Sequence, residues 1–168
     1  MPSSDFTSVC DRHLARVYGY FAYALSSRAD AEDLTQQTFE RAMRAWARYD
    51  SARAGVSTWL LAIARNLLID HLRASRARIP AIGDVALEAM PAAPDRHSLG
   101  LDPELELALG QLSPRERELI ALRFGGDLTS GEIAALTGLS AANVHQILSR
   151  ALRRMRSAMS PQPVGAAR

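Results

Sequence analysis

Apolar residues recur every three or four positions through most of this chain, and no stretch alternates apolar and polar residues over the length of a strand. This spacing is typical of amphipathic helices. In the first half it predicts helices at about Asp5–Ser26, Ala31–Arg48 and Ser57–Arg78, with a loop at Tyr49–Val56. The inner side of the first helix is expected to carry Phe6, Val9, Leu14, Val17, Phe21 and Leu25. We therefore expect an all-α fold.

The periodicity stops at residues 79–101, where three prolines and two glycines interrupt the chain. Proline removes backbone donors and glycine favours conformational freedom, so such a segment does not extend a helix. It is also longer than the usual loop inside a compact domain. The chain is therefore expected to form two small helical domains, residues 1–78 and 102–160, joined by a flexible linker and followed by a disordered tail at residues 161–168.

The second domain carries clear helix-start signals. Ser113-Pro114-Arg115-Glu116 and Thr129-Ser130-Gly131-Glu132 both have the spacing of a capping box. The first of these helices is expected to reach Arg123 or Phe124 and to stop at Gly125-Gly126. Two further helices meet at Thr137-Gly138-Leu139-Ser140, a tight turn with glycine where a left-handed residue is needed. The pattern predicts a DNA-binding helix-turn-helix; an ordinary helical hairpin is the alternative.

The last helix separates into two faces at about 100° per residue. One face is apolar and suited to the core. The residues expected to contact DNA on the other are Ala142, Asn143, Gln146, Ser149, Arg150, Arg153 and Arg154. Asn and Gln can bond adenine edges and Arg can bond guanine, so the first turns are expected to read bases. The arginines farther along are expected to hold phosphates, or else to form a solvated helix end.

Charge and composition narrow the function only in part. The chain has 168 residues and a net charge of +2, and all 20 of its basic residues are arginine. A G- and C-rich genome, whose codons favour arginine, explains that bias better than phosphate recognition does, so the positions of the arginines carry the functional information. Basic residues concentrate at residues 65–78 and 143–168, which indicates either two nucleic-acid contacts or two solvated helix ends.

Several classes of protein lack support in this sequence. No apolar run is long enough to cross a membrane, and the N-terminus lacks the features of a signal peptide. Cys10 is the only cysteine, and with His13 it leaves a metal site incomplete. No catalytic triad or phosphate-binding loop is present. We therefore expect a cytoplasmic protein that is not an enzyme, with no membrane insertion, no cofactor and no metal.

Three segments resemble a known family. Ser57-Thr58-Trp59-Leu60-Leu61-Ala62-Ile63-Ala64-Arg65-Asn66 resembles the promoter-melting helix of extracytoplasmic-function sigma factors. Ala31-Glu32-Asp33-Leu34-Thr35-Gln36-Gln37-Thr38-Phe39 is similar to that family's polymerase-binding helix. Leu112-Ser113-Pro114-Arg115-Glu116-Arg117, with the helix-turn-helix after it, is similar to the family's second domain. The resemblance covers about residues 6–158.

The resemblance implies a partner for each surface. Core RNA polymerase would bind at Asp33, Gln36, Gln37 and Glu40. The melted promoter strand would bind at Arg65, Asn66, Asp70, Arg73 and Arg76, a polar face opposite Ile63, Ala64 and Leu67. The helix-turn-helix would bind the upstream duplex, and an anti-sigma protein would hold the factor inactive. Trp59 is expected to lie in the core rather than to stack on DNA.

Three other functions stay open at this point. A conventional helix-turn-helix repressor or activator would bind a palindrome as a dimer, without being a polymerase subunit. An enzyme acting on nucleic acid would need a constellation of carboxylates or a nucleophile. A sigma-like interaction module would bind polymerase without reading DNA. In favour of it, many family members carry an arginine where this chain has Ile147, and another basic residue near Leu152.

Overall fold

The computed structural model describes residues 2–78 and 100–160, and over these ranges the chain is helical without a strand. The helices are α1 (Pro2–Ala24), α2 (Arg28–Ala45), α3 (Val56–Arg78), α4 (Pro103–Gly110), α5 (Pro114–Ile120), α6 (Ser130–Thr137) and α7 (Ala141–Met159). A 3-10 turn, Trp46–Arg48, follows α2, and a π-helical turn, Ala121–Gly125, follows α5. The all-α prediction is confirmed. Residues 79–99 of the predicted linker and the predicted tail lie outside the described residues.

Helices α1, α2 and α3 pack against one another to form the first domain. Helix α2 begins three residues earlier than its apolar pattern predicted, because Ser27 caps it by accepting a hydrogen bond of 3.2 Å from the backbone N–H of Asp30. The buried hydroxyls of Thr35 and Thr38 donate to backbone carbonyls one turn earlier, so they add no unpaired polar group to the core.

An aromatic cluster closes one end of this domain. Trp46 stacks on Tyr49 with ring centroids 5.1 Å apart, and Tyr49 meets Trp59 at 4.9 Å. Phe6 of α1 lies 5.3 Å from Trp46. The Tyr49 hydroxyl donates to the carbonyl of Ala54 at 2.9 Å, which fixes the loop before α3. Trp59 therefore packs within the fold, as predicted.

The second domain consists of α4 to α7 around a small apolar core. Both predicted capping boxes are present, at Ser113/Glu116 and at Thr129/Glu132. Gly138 ends α6 with φ +74°, a left-handed conformation that side chains disfavour. Ile133, Val144 and Leu148 bury the facing sides of α6 and α7. The helix-turn-helix prediction therefore agrees with the fold.

The π-helical turn of the second domain packs against the first domain. The helix predicted to continue to Arg123 or Phe124 is α-helical only to Ile120, and then widens into the π turn. That turn packs against α1 of the first domain. Gly19 and Gly125 meet there backbone to backbone: a Cβ atom on Gly19 would lie 2.8 Å from the carbonyl oxygen of Gly125. The two domains are thus in direct contact.

One predicted core residue is wrong. Leu14 is 52% exposed, although its position on α1 shares an arc with buried Phe21. Helix α2 does not cover that part of α1, and the uncovered space is a groove of about 1060 Å³. Met43 of α2, 60% exposed, faces the same groove. We call this space the α1–α2 groove.

Candidate nucleic-acid interface

Helix α7 presents the predicted upstream-element residues to solvent. Ser140 caps the helix by accepting from the backbone N–H of Asn143 at 3.2 Å, and the side chain of Asn143 is exposed. The opposite side is anchored by buried Val144, Ala151 and Met155. The other predicted contact residues are all exposed: Ala142, Gln146, Ser149, Arg150, Arg153 and Arg154. The apolar and polar faces therefore separate as projected.

One member of this set has a partner inside the domain. Arg154 is bonded to Glu116, with 3.1 Å between Nη1 and Oε2. Glu116 is buried and also accepts from the backbone N–H of Ser113 at 2.9 Å. That backbone hydrogen bond, with help from the charges of Arg154 and Arg150, lowers the pKa of Glu116. An acid thus lies under the basic half of the recognition helix.

The predicted melted-strand residues divide into two groups along α3. Asn66, Asp70, Arg73 and Arg76 are exposed. Arg65 is not: its side chain is 21% exposed, and its Nε lies 2.7 Å from Oε1 of Glu118 on α5. Arg115 holds the other oxygen of Glu118 at 2.6 Å. The polar face predicted for α3 exists, but the second domain covers one end of it.

The predicted polymerase-binding residues lie along α2 as two polar pairs. Gln37 donates to Asp33 at 2.7 Å, and Gln36 donates to Glu40 at 2.9 Å. Gln36 and Glu40 also line the α1–α2 groove, beside Phe39. The four side chains are therefore spread over the groove rim and the adjoining helix surface.

Two titratable side chains of α1, Cys10 and His13, have shifted pKa values. Within residues 2–78 and 100–160, no three His, Cys, Asp or Glu side chains come together in a way that could hold a metal ion. Burial raises the pKa of the Cys10 thiol and lowers that of His13, whose Nδ1 lies 3.2 Å from the Ser57 hydroxyl. None of the described helices is long and apolar enough to span a bilayer.

Sequence reasoning missed the residues at the domain contact. Glu118, Arg117 and Asp127 had no assigned role, although the arginines and acids around them were visible. Arg117 donates to the carbonyl oxygens of Tyr23 and Leu25 at 2.9 Å each, and so ties α5 to the end of α1. The Gly125-Gly126 pair was the available signal. Glycine is needed at residue 125 because the backbone of α1 approaches it closely, and that part of α1 lies roughly a hundred residues earlier in the sequence.

Two all-helical domains, one with a helix-turn-helix whose outer face is polar and basic, define a DNA-binding protein. Two family models match the chain: Sigma-70 region 2 over residues 9–78 and Sigma-70 region 4 over residues 108–157. ECF RNA polymerase sigma factor SigC of Mycobacterium tuberculosis is 36% identical to it, over 80% of this chain and 72% of the relative. ECF RNA polymerase sigma factor RpoE of Cereibacter sphaeroides is 31% identical, over 92% of this chain and 86% of the relative.

The chain belongs to the extracytoplasmic-function (ECF) sigma factors, the regulatory subunits through which RNA polymerase initiates transcription. It is also 32% identical to the ECF sigma factor BldN of Streptomyces coelicolor, over 88% of this chain but only 58% of the length of BldN.

Solved structures show the same fold. The sigma factor RpoE of Bartonella quintana, solved with the anti-sigma factor NepR, superposes with a TM-score of 0.74 at 24% identity, covering 92% of this chain and 96% of that one. CnrH, solved with the cytosolic domain of CnrY, gives a TM-score of 0.67 at 23% identity, covering 92% and 87%.

Proposed function

We propose that this chain binds core RNA polymerase through α2, holds the melted promoter strand on α3, and reads an upstream duplex element with α7. The observation that carries the proposal is the recognition helix. Its apolar side is buried while all seven residues predicted to contact DNA are exposed, and among them Arg154 is also bonded to Glu116. The exposed face of α7 can contact one part of a promoter, while the polar face of α3, in the other domain, can contact a second part.

Reading of the upstream element is assigned to the first turns of α7. Asn143 and Gln146 are exposed and lie one turn apart on the same face. The start of a recognition helix is the part that reaches base edges in the major groove, and amide side chains match adenine there. Arg150 follows one turn later and would bond guanine, while Arg153 and Arg154 would hold phosphates.

Binding of the melted strand is assigned to the exposed face of α3. Asn66, Arg73 and Arg76 offer donors to phosphates and unstacked bases. Asp70 shares that face and, being an acceptor, would bond a base amino group rather than a phosphate. Arg65 lies at the end of the same face that α5 covers.

The polymerase contact is assigned to the surface formed by α2 and the α1–α2 groove. Leu14 and Met43 are large apolar side chains left exposed there. An apolar patch with a polar rim is typical of a protein-binding surface. Gln36 and Glu40 stand on that rim, and Asp33 and Gln37 continue it along α2. The apolar side chains offer area that a partner can bury, and the polar side chains on the rim make the contact specific.

Regulation by an anti-sigma protein is part of the same proposal. RpoE of Bartonella quintana was solved with the anti-sigma factor NepR, and CnrH was solved with the cytosolic domain of CnrY. An anti-sigma protein that covers the α2 surface would exclude polymerase from this chain. The chain acts in the cytoplasm, where polymerase is, and catalyses no reaction by itself.

Run-off transcription tests the proposal. Purified chain added to core polymerase on a library of genomic promoter fragments should yield transcripts with defined starts. Core polymerase alone is the matched control. Absence of specific starts, together with tight binding of the free chain to a palindrome, would instead favour a conventional helix-turn-helix regulator.

A further inference from the structure

One cavity of the protein combines positive charge with an apolar wall. It measures about 530 Å³ and is lined by α3 from Arg65 to Arg76 and by α5 from Pro114 to Glu118. Small-molecule sites in proteins commonly occupy about 300–1,000 Å³, so the cavity has the size of a binding site. We call it the α3–α5 cavity.

Helix α3 gives this cavity an apolar strip between two basic ends. The side chains of α3 that line it are Arg65, Leu68, Ile69, Leu72 and Arg76. They recur at about one helical turn and therefore share a face of the helix. The strip is about 16 Å long, because a helix rises about 1.5 Å per residue. Leu72 is 42% exposed, which leaves apolar area for a ligand to cover.

Positive charge in the cavity exceeds what its acid can neutralise. Among the described residues, four arginines and a single acid, Glu118, line it. Both oxygens of Glu118 are already held, one by Arg65 at 2.7 Å and the other by Arg115 at 2.6 Å. Two guanidinium groups therefore share one carboxylate, and a positive charge is left over at this pair.

The other two arginines have no acid against them. Among the side chains that the structure describes, neither Arg76 nor Arg117 forms an ion pair. Arg117 donates to neutral oxygen atoms at and just after the end of α1. Burial lowers the pKa of Arg117, and the nearby charge of Glu106 offsets this only in part. Burying a charge without a counter-ion is costly, so an anion in the cavity would be stabilising.

We propose that the α3–α5 cavity binds a small phosphate monoester with an apolar body, the chemistry of an alkyl phosphate. The phosphate group lies against Arg76, within the positive field of Arg115 and Arg117, and the apolar body covers Ile69 and Leu72. A phosphate monoester carries about −1.5 to −2 charge at pH 7, which matches the surplus positive charge better than a carboxylate does. Its oxygens also suit the fork of a guanidinium. This site goes beyond the proposed function, because it needs neither polymerase nor promoter.

A DNA strand shares the phosphate chemistry but not the rest of this ligand. Each phosphate of its backbone is a diester with a single negative charge, and it carries no alkyl body. The aliphatic side chains of Ile69 and Leu72 offer a phosphodiester no hydrogen bond. What an apolar body and a second charge add to binding therefore distinguishes a small phosphate monoester from a DNA backbone.

Isothermal titration calorimetry of the full chain with octyl phosphate, kept below its micelle concentration, tests the site. The titration is made at about pH 8, where the phosphate group is dianionic. We expect saturable binding of one molecule per chain. Inorganic phosphate lacks the apolar body, and octyl sulfate has the same body with a single charge, so each should bind about tenfold more weakly or worse.

Two pairs of variants locate the ligand. Arg76→Gln should weaken binding about tenfold or more, the effect of losing a hydrogen bond to a charged group. Arg73→Gln makes the same charge change at an exposed position of α3 outside the cavity, and its affinity should stay within about threefold of the parent. Leu72→Ser should weaken binding about tenfold through lost apolar area. Leu107→Ser, at an exposed leucine outside the cavity, should match the parent.

Circular dichroism checks that each variant remains folded. The inference is overturned if octyl phosphate shows no saturable binding, or if inorganic phosphate and octyl sulfate bind as tightly as it does. Equal weakening by Arg73→Gln and Arg76→Gln also overturns it, because the chain would then attract phosphate through its general positive charge. Run-off transcription with core polymerase judges the proposed function separately, since neither result depends on the other.

Discussion

Glu116 connects the stability of the second domain to its DNA-binding surface. It lies beneath α7, accepts the backbone N–H of Ser113 at 2.9 Å and is bonded to Arg154 at 3.1 Å. Changing Glu116→Ala removes both contacts. A hydrogen bond to a charged group contributes about 1.5–3 kcal/mol, whereas an ion pair with a half-exposed arginine adds at most ~1 kcal/mol. We expect the free energy of unfolding to fall by about 2 kcal/mol.

The variant Glu116→Gln separates these terms, because its amide oxygen can still accept the Ser113 N–H. It should cost about 1 kcal/mol, since the acceptor remains and only its charge is lost. Urea unfolding followed by far-UV circular dichroism measures both variants. With a slope of ~2 kcal/mol/M, the alanine variant should unfold at about 1 M less urea than the parent. Glu104→Gln, which removes an exposed acid from α4, is the control.

The pH dependence has a definite sign. Hydrogen bonding in the fold lowers the pKa of Glu116 below its usual value of 4.5. Its contribution to stability is therefore complete above the unfolded-state pKa and is lost as pH falls through the lower folded-state pKa. The stability difference between parent and Glu116→Gln should shrink over that acidic window. The reasoning is refuted if Glu116→Ala and Glu104→Gln unfold at the same urea concentration, or if their difference does not change with acidification.

Four further outcomes are expected. Gln146→Ala should cost about 1–3 kcal/mol of upstream-element binding and relax preference at one base pair, measured by selection on a randomised element; unchanged preference would remove Gln146 from the reading set. Arg73→Ala should reduce permanganate reactivity of unpaired thymines more than it reduces recruitment in gel shifts, and equal losses would argue against a melting role. Asp33→Arg should weaken binding to core polymerase in pull-downs while the circular dichroism spectrum stays unchanged; parent-like affinity would contradict the assignment. Tyr20→Phe should raise the free energy of unfolding by up to about 1–3 kcal/mol, because it removes a buried hydroxyl that has no hydrogen-bond partner among the described residues. A variant that is less stable than the parent in urea unfolding would show that the hydroxyl has a partner.

Local features of the second domain were readable from its sequence. A capping box is a contact between residues three apart, so Ser113/Glu116 and Thr129/Glu132 could be predicted without knowing the fold. The left-handed turn at Gly138 is equally local, because it depends on the residue's own backbone. The two faces of α7 followed from helical periodicity. These are the parts of the candidate site that needed no tertiary information.

The first domain shows where periodicity stops being sufficient. Phe21 and Leu14 lie on one arc of α1, and both were expected in the core, yet only Phe21 is buried. Which part of an apolar arc is covered depends on where the neighbouring helix crosses it. Helix α2 leaves Leu14 uncovered, and a position predicted as core became part of a groove. Periodicity gives the direction of a side chain but not what lies opposite it.

The sequence by itself determined the helices, the division into two domains, the helix-turn-helix and, through resemblance to a family, the class of protein. Only the tertiary structure decided how the domains meet. Arg65 and Glu118 are 53 residues apart, and Gly19 and Gly125 are farther still, so no local pattern relates them. Helical propensity and capping act over a few residues, whereas the contact between two domains depends on shape and charge that match between distant parts of the chain. That is why Arg65 looked like a free DNA contact in the sequence and is held by an acid in the fold.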